Sequence, residues 1–272
     1  MHDAPTETRR AAAAGHREES TAGSPARRRF LVGGAGALAT LPLLATGRAA
    51  AQPCGLADPA EPPTPTPTPT PTPGQGMPTP EEVLRCLAEG NERWVAGELL
   101  HPNQSVARRL AVAAAQDPLA TVFSCIDSRV PPEIVFDRGV GDLFVVRTAA
   151  QTNDDLIHSA VEYGAQESVT PLVVVMGHQR CGAVVFAVDA LNNGTEVPAH
   201  LVAVVEALKP AYLAAEPLPG DQVDNTVRAQ IRLTVDQLRE DPLLLPLIGD
   251  HLVEVVGAYY SLDSGCVEFM RP

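Results

Sequence analysis

The segment FSCIDSRVPPE, residues 123–133, sets a thiol, a carboxylate and a guanidinium at alternate positions: Cys125, Asp127 and Arg129. Fifty-three positions after Cys125, the segment GHQRCG (177–182) adds an imidazole at His178 and a second thiol at Cys181. Two thiolates and one imidazole form a Cys2His set suited to zinc, and three protein ligands leave a fourth position open. A lone His-x-x-Cys is common, and most buried cysteines are simply small hydrophobes. The joint occurrence of the two motifs is what points to a metal. Asp127 has two available partners. It could fill the fourth zinc position and shut the site, or Arg129 could hold its carboxylate in a two-pronged ion pair and leave that position free. The plainer reading of the Asp-Arg pair is a structural turn.

Both motifs need elements that present them together. ATVFSCI (120–126), DLFVVRT (142–148) and PLVVVMG (171–177) are short, β-branched and apolar throughout, as strands buried on both faces of a parallel sheet are. DDLIHSAVEYGAQE (154–167) reads as an amphipathic helix between the last two strands, and GAVVFAVDAL (182–191) as a helix directly after the third. Alternation of strand and helix calls for an α/β sheet with right-handed crossovers. Ligands of such sheets gather at the carboxyl ends of the strands, where Cys125 and Cys181 both fall. Upstream, residues 78–97 predict a helix with Thr79 as N-cap and Pro80 at its first position. A second helix is expected over about 105–116 from RRLAVAAAQ. Downstream, 221–239 predicts a longer helix. Residues 251–270 predict two strands around a turn at Asp263-Ser264-Gly265, a candidate antiparallel edge.

The rest of the chain has other tasks. Residues 1–51 read as an export signal: ARRRFLV (26–32), a weakly apolar Gly- and Ala-rich run, then AAA (49–51) before a cleavage point at Gln52. Consecutive arginines point to the twin-arginine route, hence to export into the periplasmic or extracellular/cell-wall space of a bacterium. Gly33, Gly34, Gly36 and Pro42 interrupt a run barely long enough to span a bilayer, so no stable membrane insertion is expected after cleavage. Residues 52–77 carry Thr-Pro repeats that favour polyproline II and read as a disordered spacer. Residues 78–272 then form one domain of ordinary size. Seven of the 20 Lys+Arg and 4 of the 33 Asp+Glu precede Gln52, which leaves 13 against 29, a charge of −16. That balance argues against a nucleic-acid partner. The five cysteines, Cys54, Cys86, Cys125, Cys181 and Cys266, lack the spacing of a disulfide framework.

CIDSR together with GHQRCGAV resembles the β-class carbonic anhydrases, whose C-x-D-x-R and H-x-x-C motifs surround a catalytic zinc. VPPEIVFDRGVGDLFVVRTAAQ, EEVLRCLAEGNERWVAG and VVGAYYSLDSGCVEF are similar to that family as well, so the resemblance covers essentially 78–270. It implies an α/β fold with a central, mostly parallel sheet, a four-stranded parallel core plus an antiparallel edge strand, flanked by helices. The first helix would embrace a partner subunit in a homodimer or larger homo-oligomer. It implies one Zn²⁺ per chain on Cys125, His178 and Cys181, and reversible hydration of CO2 to bicarbonate and a proton by zinc-bound hydroxide. Asp127, held by Arg129, would accept a hydrogen bond from that hydroxide; in a closed state it would be the fourth ligand.

Gln116 matches a glutamine that hydrogen-bonds substrate across the dimer interface, though by itself it reads as a helix-end cap. The Gly182 amide would meet a substrate oxygen, though a glycine starting a helix needs no such role. His101, His158, His200 and His251 are expected as surface or core residues. Two places depart from the family: Ile126 replaces a common serine, and RTAAQ (147–151) stands where many members have an Arg-Asn pair and a later Asn, which leaves the supporting hydrogen bonds there open. Val122, where members with regulatory bicarbonate have tryptophan, resembles the plant-like subgroup and argues against that control. A twin-arginine signal, which by its resemblance implies folded cargo, would let zinc be loaded before export. Rival readings are a carbonyl sulfide or carbon disulfide hydrolase on the same scaffold, and a non-catalytic zinc-binding module with Asp127 locked on the metal. A thiol redox protein is weaker, because Cys125 and Cys181 form no CxxC pair.

Overall fold

The apolar runs of the sequence become five strands: β1 (Ala120–Cys125), β2 (Leu143–Thr148), β3 (Leu172–His178), β4 (Glu254–Tyr260) and β5 (Val267–Met270). This computed structural model describes residues 78–167 and 170–270; the segments read as export signal and Thr-Pro spacer lie outside them. The sheet order is β2-β1-β3-β4-β5, with β2 to β4 parallel to their neighbours and β5 antiparallel to β4. A four-stranded parallel core with one antiparallel edge is therefore the observed architecture.

Eight helices cover it among the described residues: α1 (Pro80–Ala96), α2 (Val106–Ala111), α3 (Pro132–Val135), α4 (Asp155–Glu167), α5 (Gly182–Asn193), α6 (Leu201–Ala215), α7 (Gln222–Arg239) and α8 (Leu244–Gly249). On one face Phe123, Val173 and Val175 pack with Val161, Val184, Leu208 and Ile231 of α4 to α7. On the other, Val122, Val174 and Met176 pack with Val83, Leu84 and Leu87 of α1 and Val135 of α3. Each such side chain, taken fully out of water, contributes about 1.5–3 kcal/mol.

The start of α1 follows its sequence closely. Glu82 N donates to Thr79 Oγ1 at 3.3 Å and Thr79 N to Glu82 Oε2 at 2.8 Å, a reciprocal cap, with Pro80 in the first turn. Gly97 ends the helix in the left-handed region at φ 72°.

Three expectations change. The second helix stops at Ala111 instead of running to 116 and buries none of its residues, so Gln116 caps no helix end. DLFVVRT forms β2 but is not buried on both faces. It pairs only with β1 at the sheet's edge, and every residue is half-buried. Residues 201–215, to which the sequence assigned no element, form α6 with Pro210 inside it. Proline removes one backbone donor there, yet the buried spacing of Val205, Leu208, Ala211 and Ala215 carries the helix through.

Candidate metal centre

β1 and β3 are adjacent and parallel, in a register that pairs Ser124 with Met176, so both chains leave the sheet on the same side. β1 ends at Cys125 and β3 at His178. The next two residues turn the chain into α5, with Arg180 in the left-handed region at φ 51° and Cys181 as the residue before the helix. Gly177 explains how α7 reaches this spot. A Cβ there would stand 2.8 Å from the Ile231 side chain, so any other residue would force α7's side chains to shift off the strand that delivers His178.

The result is a buried cluster of Cys125, His178 and Cys181, whose ligand atoms all lie within 4.8 Å of one another. The Cys125 and Cys181 sulfurs are 3.8 Å apart. Two sulfurs each about 2.3 Å from one tetrahedral zinc would lie about 3.8 Å apart, whereas a disulfide needs about 2.05 Å. The imidazole is set up in the same way. His178 Nδ1 donates to the Gln179 carbonyl at 3.0 Å, which leaves the Nε2 lone pair free. Nε2 is buried and has no hydrogen-bond partner. A buried nitrogen without a partner is costly unless something else binds it. The donor set and its spacing fit a zinc ion.

The electrostatics agree. Cys125 is pulled below the ordinary thiol range, foremost by the hydrogen bond with Cys181, with His178 and the Ala150 N–H adding to it. Cys181 is pushed up by the same contact and by burial. Together the pair favours one thiolate even without a cation, and zinc would take both as thiolates. The Ala150 N–H points at Cys125 Sγ from 3.3 Å.

Asp127 sits beside this cluster, its Oδ2 3.8 Å from His178 Nε2. Arg129 occupies both carboxylate oxygens. Its backbone N and Nε donate to Oδ1, each at 2.9 Å, and Nη2 donates to Oδ2 at 2.7 Å. Foremost through those side-chain bonds, the carboxyl is held down to about 2. It is an ionised acceptor at neutral pH.

Of the remaining expected residues, Gly182 opens α5 next to the cluster, and a Cβ there would meet nothing within 4 Å beyond its chain neighbours and its own helix turn. Gln116 is exposed and lies in irregular chain five residues past α2, outside the cluster. His101, His200 and His251 are exposed, and half-buried His158 bonds to Asp241 and Asn153 instead.

Sequence reasoning marked RTAAQ as a departure from the family but assigned Arg147 no role. Its Nε donates to the Cys125 carbonyl at 2.8 Å and its Nη2 to the Asp127 carbonyl at 2.6 Å, so one side chain stitches the loop down. The signals available were that departure and a charge at the end of the apolar run DLFVVRT. Ala150 and Gln151, at φ 55° and 44°, were also missed; the left-handed turn they make brings the Ala150 amide onto the sulfur.

Comparison with known proteins places this arrangement. The family model described as "Carbonic anhydrase" matches residues 120–267. "Carbonic anhydrase 2" of Mycobacterium tuberculosis is 41% identical over 188 residues, which are 68% of this chain and 90% of that protein. The "Carbonic anhydrase" of Mycolicibacterium smegmatis is 39% identical over 191 residues, 70% of this chain and 92% of that one. Two solved structures share the fold. One is a tetrameric β-carbonic anhydrase of Sordaria macrospora, with TM-score 0.54 and 23% identity, covering 60% of this chain and 85% of that one. The other is the Coccomyxa β-carbonic anhydrase in complex with acetazolamide, with TM-score 0.52 and 22% identity, covering 68% and 85%. With its parallel sheet, its cluster at the ends of β1 and β3, and relatives alike over nearly their whole length, the chain belongs to the β-class carbonic anhydrase family.

Proposed function

We propose that this carbonic anhydrase hydrates CO2 reversibly to bicarbonate and a proton at a single zinc held by Cys125, His178 and Cys181. The observation that carries the reading is the buried His178 Nε2, which lacks a partner and faces two sulfurs at tetrahedral zinc spacing. Zinc bound there would bring the pKa of a water at its fourth position to near neutrality, supplying a nucleophile. The chain's own groups do the rest. Asp127, ionised and turned toward Arg129, accepts the hydrogen bond that orients the attacking oxygen. Arg129 keeps the same carboxylate from competing for the metal. The open space at Gly182, where α5 begins, offers its backbone N–H to a product oxygen.

The assembly is proposed as a homodimer or larger. α2 buries none of its residues within one chain, and Leu100, Val106, Leu110 and Val140 lie exposed around it. Such apolar surface is what a second copy covers. Gln116, in the segment just beyond, would meet substrate only across such an interface. Export by the twin-arginine route remains the reading of ARRRFLV, and no described helix is long and apolar enough to cross a membrane. Substituting Lys for Arg27, Arg28 and Arg29 should strand precursor in the cytoplasm; unchanged secretion points to another route.

Native mass spectrometry of the mature chain, with stopped-flow hydration of CO2, tests the reaction and the assembly together. One zinc per subunit, an oligomeric mass and zinc-dependent hydration are expected. Zinc-free protein, or zinc-loaded protein that turns over carbonyl sulfide or carbon disulfide but not CO2, overturns the reading.

A further inference from the structure

The loop between His178 and Cys181 is gripped by a side chain from the far end of the sequence. Asp263, in the turn between β4 and β5, accepts from Gln179 Nε2 at 2.9 Å, and its own N–H donates to Gln179 Oε1 at 3.3 Å. It also accepts both outer nitrogens of Arg180, at 2.9 and 2.6 Å. Gln179 and Arg180 are the two residues between the paired ligands, so one carboxylate holds both spacers of His-x-x-Cys.

The grip reaches the ligands through the backbone. The Gln179 N–H donates to the Tyr260 carbonyl at 2.9 Å, while the Gln179 carbonyl accepts His178 Nδ1. Fixing Gln179 therefore fixes the direction in which Nε2 points. Arg180 occupies a left-handed conformation that residues other than glycine adopt infrequently, and the two-pronged bond to Asp263 holds it there. The Arg180 carbonyl in turn lies 3.5 Å from Arg129 Nη2, the nitrogen that holds Asp127 Oδ2. One network runs from Asp263 to the imidazole on one side and to the Asp127–Arg129 pair on the other.

We infer that Asp263 is a positioning residue for the metal centre, setting the aim of His178 and Cys181 through Gln179 and Arg180. The inference rests on the zinc reading above. The competing account is ordinary: Asp263 and Arg180 are largely solvent-exposed, and isolated surface ion pairs contribute little. What sets this one apart is that it bonds both spacer residues at once, with bidentate geometry toward the arginine.

The test uses the zinc-loaded full chain and follows zinc transfer to an excess of chromophoric chelator. Asp263→Ala should release zinc about tenfold faster, the scale on which partners of metal ligands act. Asp263→Glu, which can rebuild the bond to Arg180, should return most of the difference. In cobalt-substituted protein the visible bands should shift in the alanine variant and revert in the glutamate variant, because they report ligand angles. Should Asp263→Ala fail to fold, Asp263→Asn keeps the shape of the turn, loses the charge, and should change release in the same direction. Release at the wild-type rate in a folded Ala or Asn variant, even with a lowered melting point, overturns the inference and leaves a surface ion pair only. A wild-type protein that takes up no zinc counts against the metal reading itself, a separate outcome.

Discussion

The loop after β1 is held from beneath, whereas the loop after β3 is held by its own spacer side chains reaching outward. Under the first, Arg147 bonds the carbonyls of Cys125 and Asp127, and the Ile126 N–H bonds the Thr148 carbonyl at 2.9 Å. The backbone is thereby fixed, and what the proposed reading leaves adjustable is the Asp127 side chain, which faces Arg129 here and would turn to a bound metal in a closed state. In the second loop two of the three cluster residues, His178 and Cys181, lie three positions apart, and the two spacers between them are bonded to the β4–β5 turn. In the proposed reading, one loop carries a gate on a rigid base, and the other carries two of the three donors. Perturbing donor, gate and base should therefore give effects of descending size.

The largest effect belongs to a donor. Cys181→Ala should bring zinc from one per subunit to near none and hydration to background, since two remaining ligands make no closed catalytic set. Metal analysis after dialysis against a chelator checks this. Zinc retained in full would mean that the cluster is not the metal's holder and would break the comparison at its root.

The gate comes next. Arg129→Ala should leave zinc in place while hydration falls about 100-fold, as expected when the group orienting a proton acceptor is lost. Released from its partner, the Asp127 carboxylate should move onto the strongest positive charge nearby, at about 2.0–2.2 Å from zinc. A crystal structure of that variant with Asp127 still turned away, or near-normal hydration at neutral pH, would mean that Arg129 keeps no gate. Asp127→Ala separates the roles: it should lose activity without any new protein ligand on the metal.

The base should respond more mildly. Arg147→Ala leaves two carbonyls without their charged donor, which should lower stability by about 2–3 kcal/mol and hydration about tenfold, with zinc retained. Denaturant unfolding beside stopped-flow assays checks both. Arg147→Lys should recover only part, because an ammonium cannot span both carbonyls as the planar guanidinium does. Loss of zinc in Arg147→Ala would show instead that the first loop, too, positions donors.

How much of this the sequence disclosed follows from the range of each signal. CIDSR and HQRC are local, and each lies at the end of an apolar run, so the cluster and its neighbouring strands could be read directly. The caps of α1 are equally local. Edge against centre is not: the LFVV stretch of β2 is as apolar as the LVVV stretch of β3, and only the strand order leaves β2 half-buried. α6 was hidden by Pro210, because a missing N–H reads as a stop while its tertiary contacts are invisible. Arg147 joins its carbonyls from 20 and 22 positions away, and Asp263 joins its partners from 83 and 84, across elements whose adjacency no local pattern states. Gln116, proposed to act only across an interface, leaves no trace within one chain.

The smallest effect concerns the charge on the gate. Asp127 has its carboxyl lowered to about 2, foremost by the side-chain bonds from Arg129, against an ordinary aspartate value of about 3.9 in the unfolded chain. A lowered folded-state value means that ionisation favours the folded form. Its contribution is complete above about pH 4 and is lost as pH falls through about 2. Zinc departs earlier, since thiolates and imidazole must take up protons to let it go. The quantity to measure is therefore the stability difference between wild type and Asp127→Asn, in which that shared loss cancels. The difference should hold steady from pH 7 to about pH 5 and shrink only below about pH 4. It should be modest, because the pair lies at the mouth of the site, where water screens it. A difference that already vanishes between pH 7 and 5 would mean that the carboxyl titrates far above its lowered value. Arg129 would then not be holding it, and the gate would have to be sought in the ligand-bearing loop.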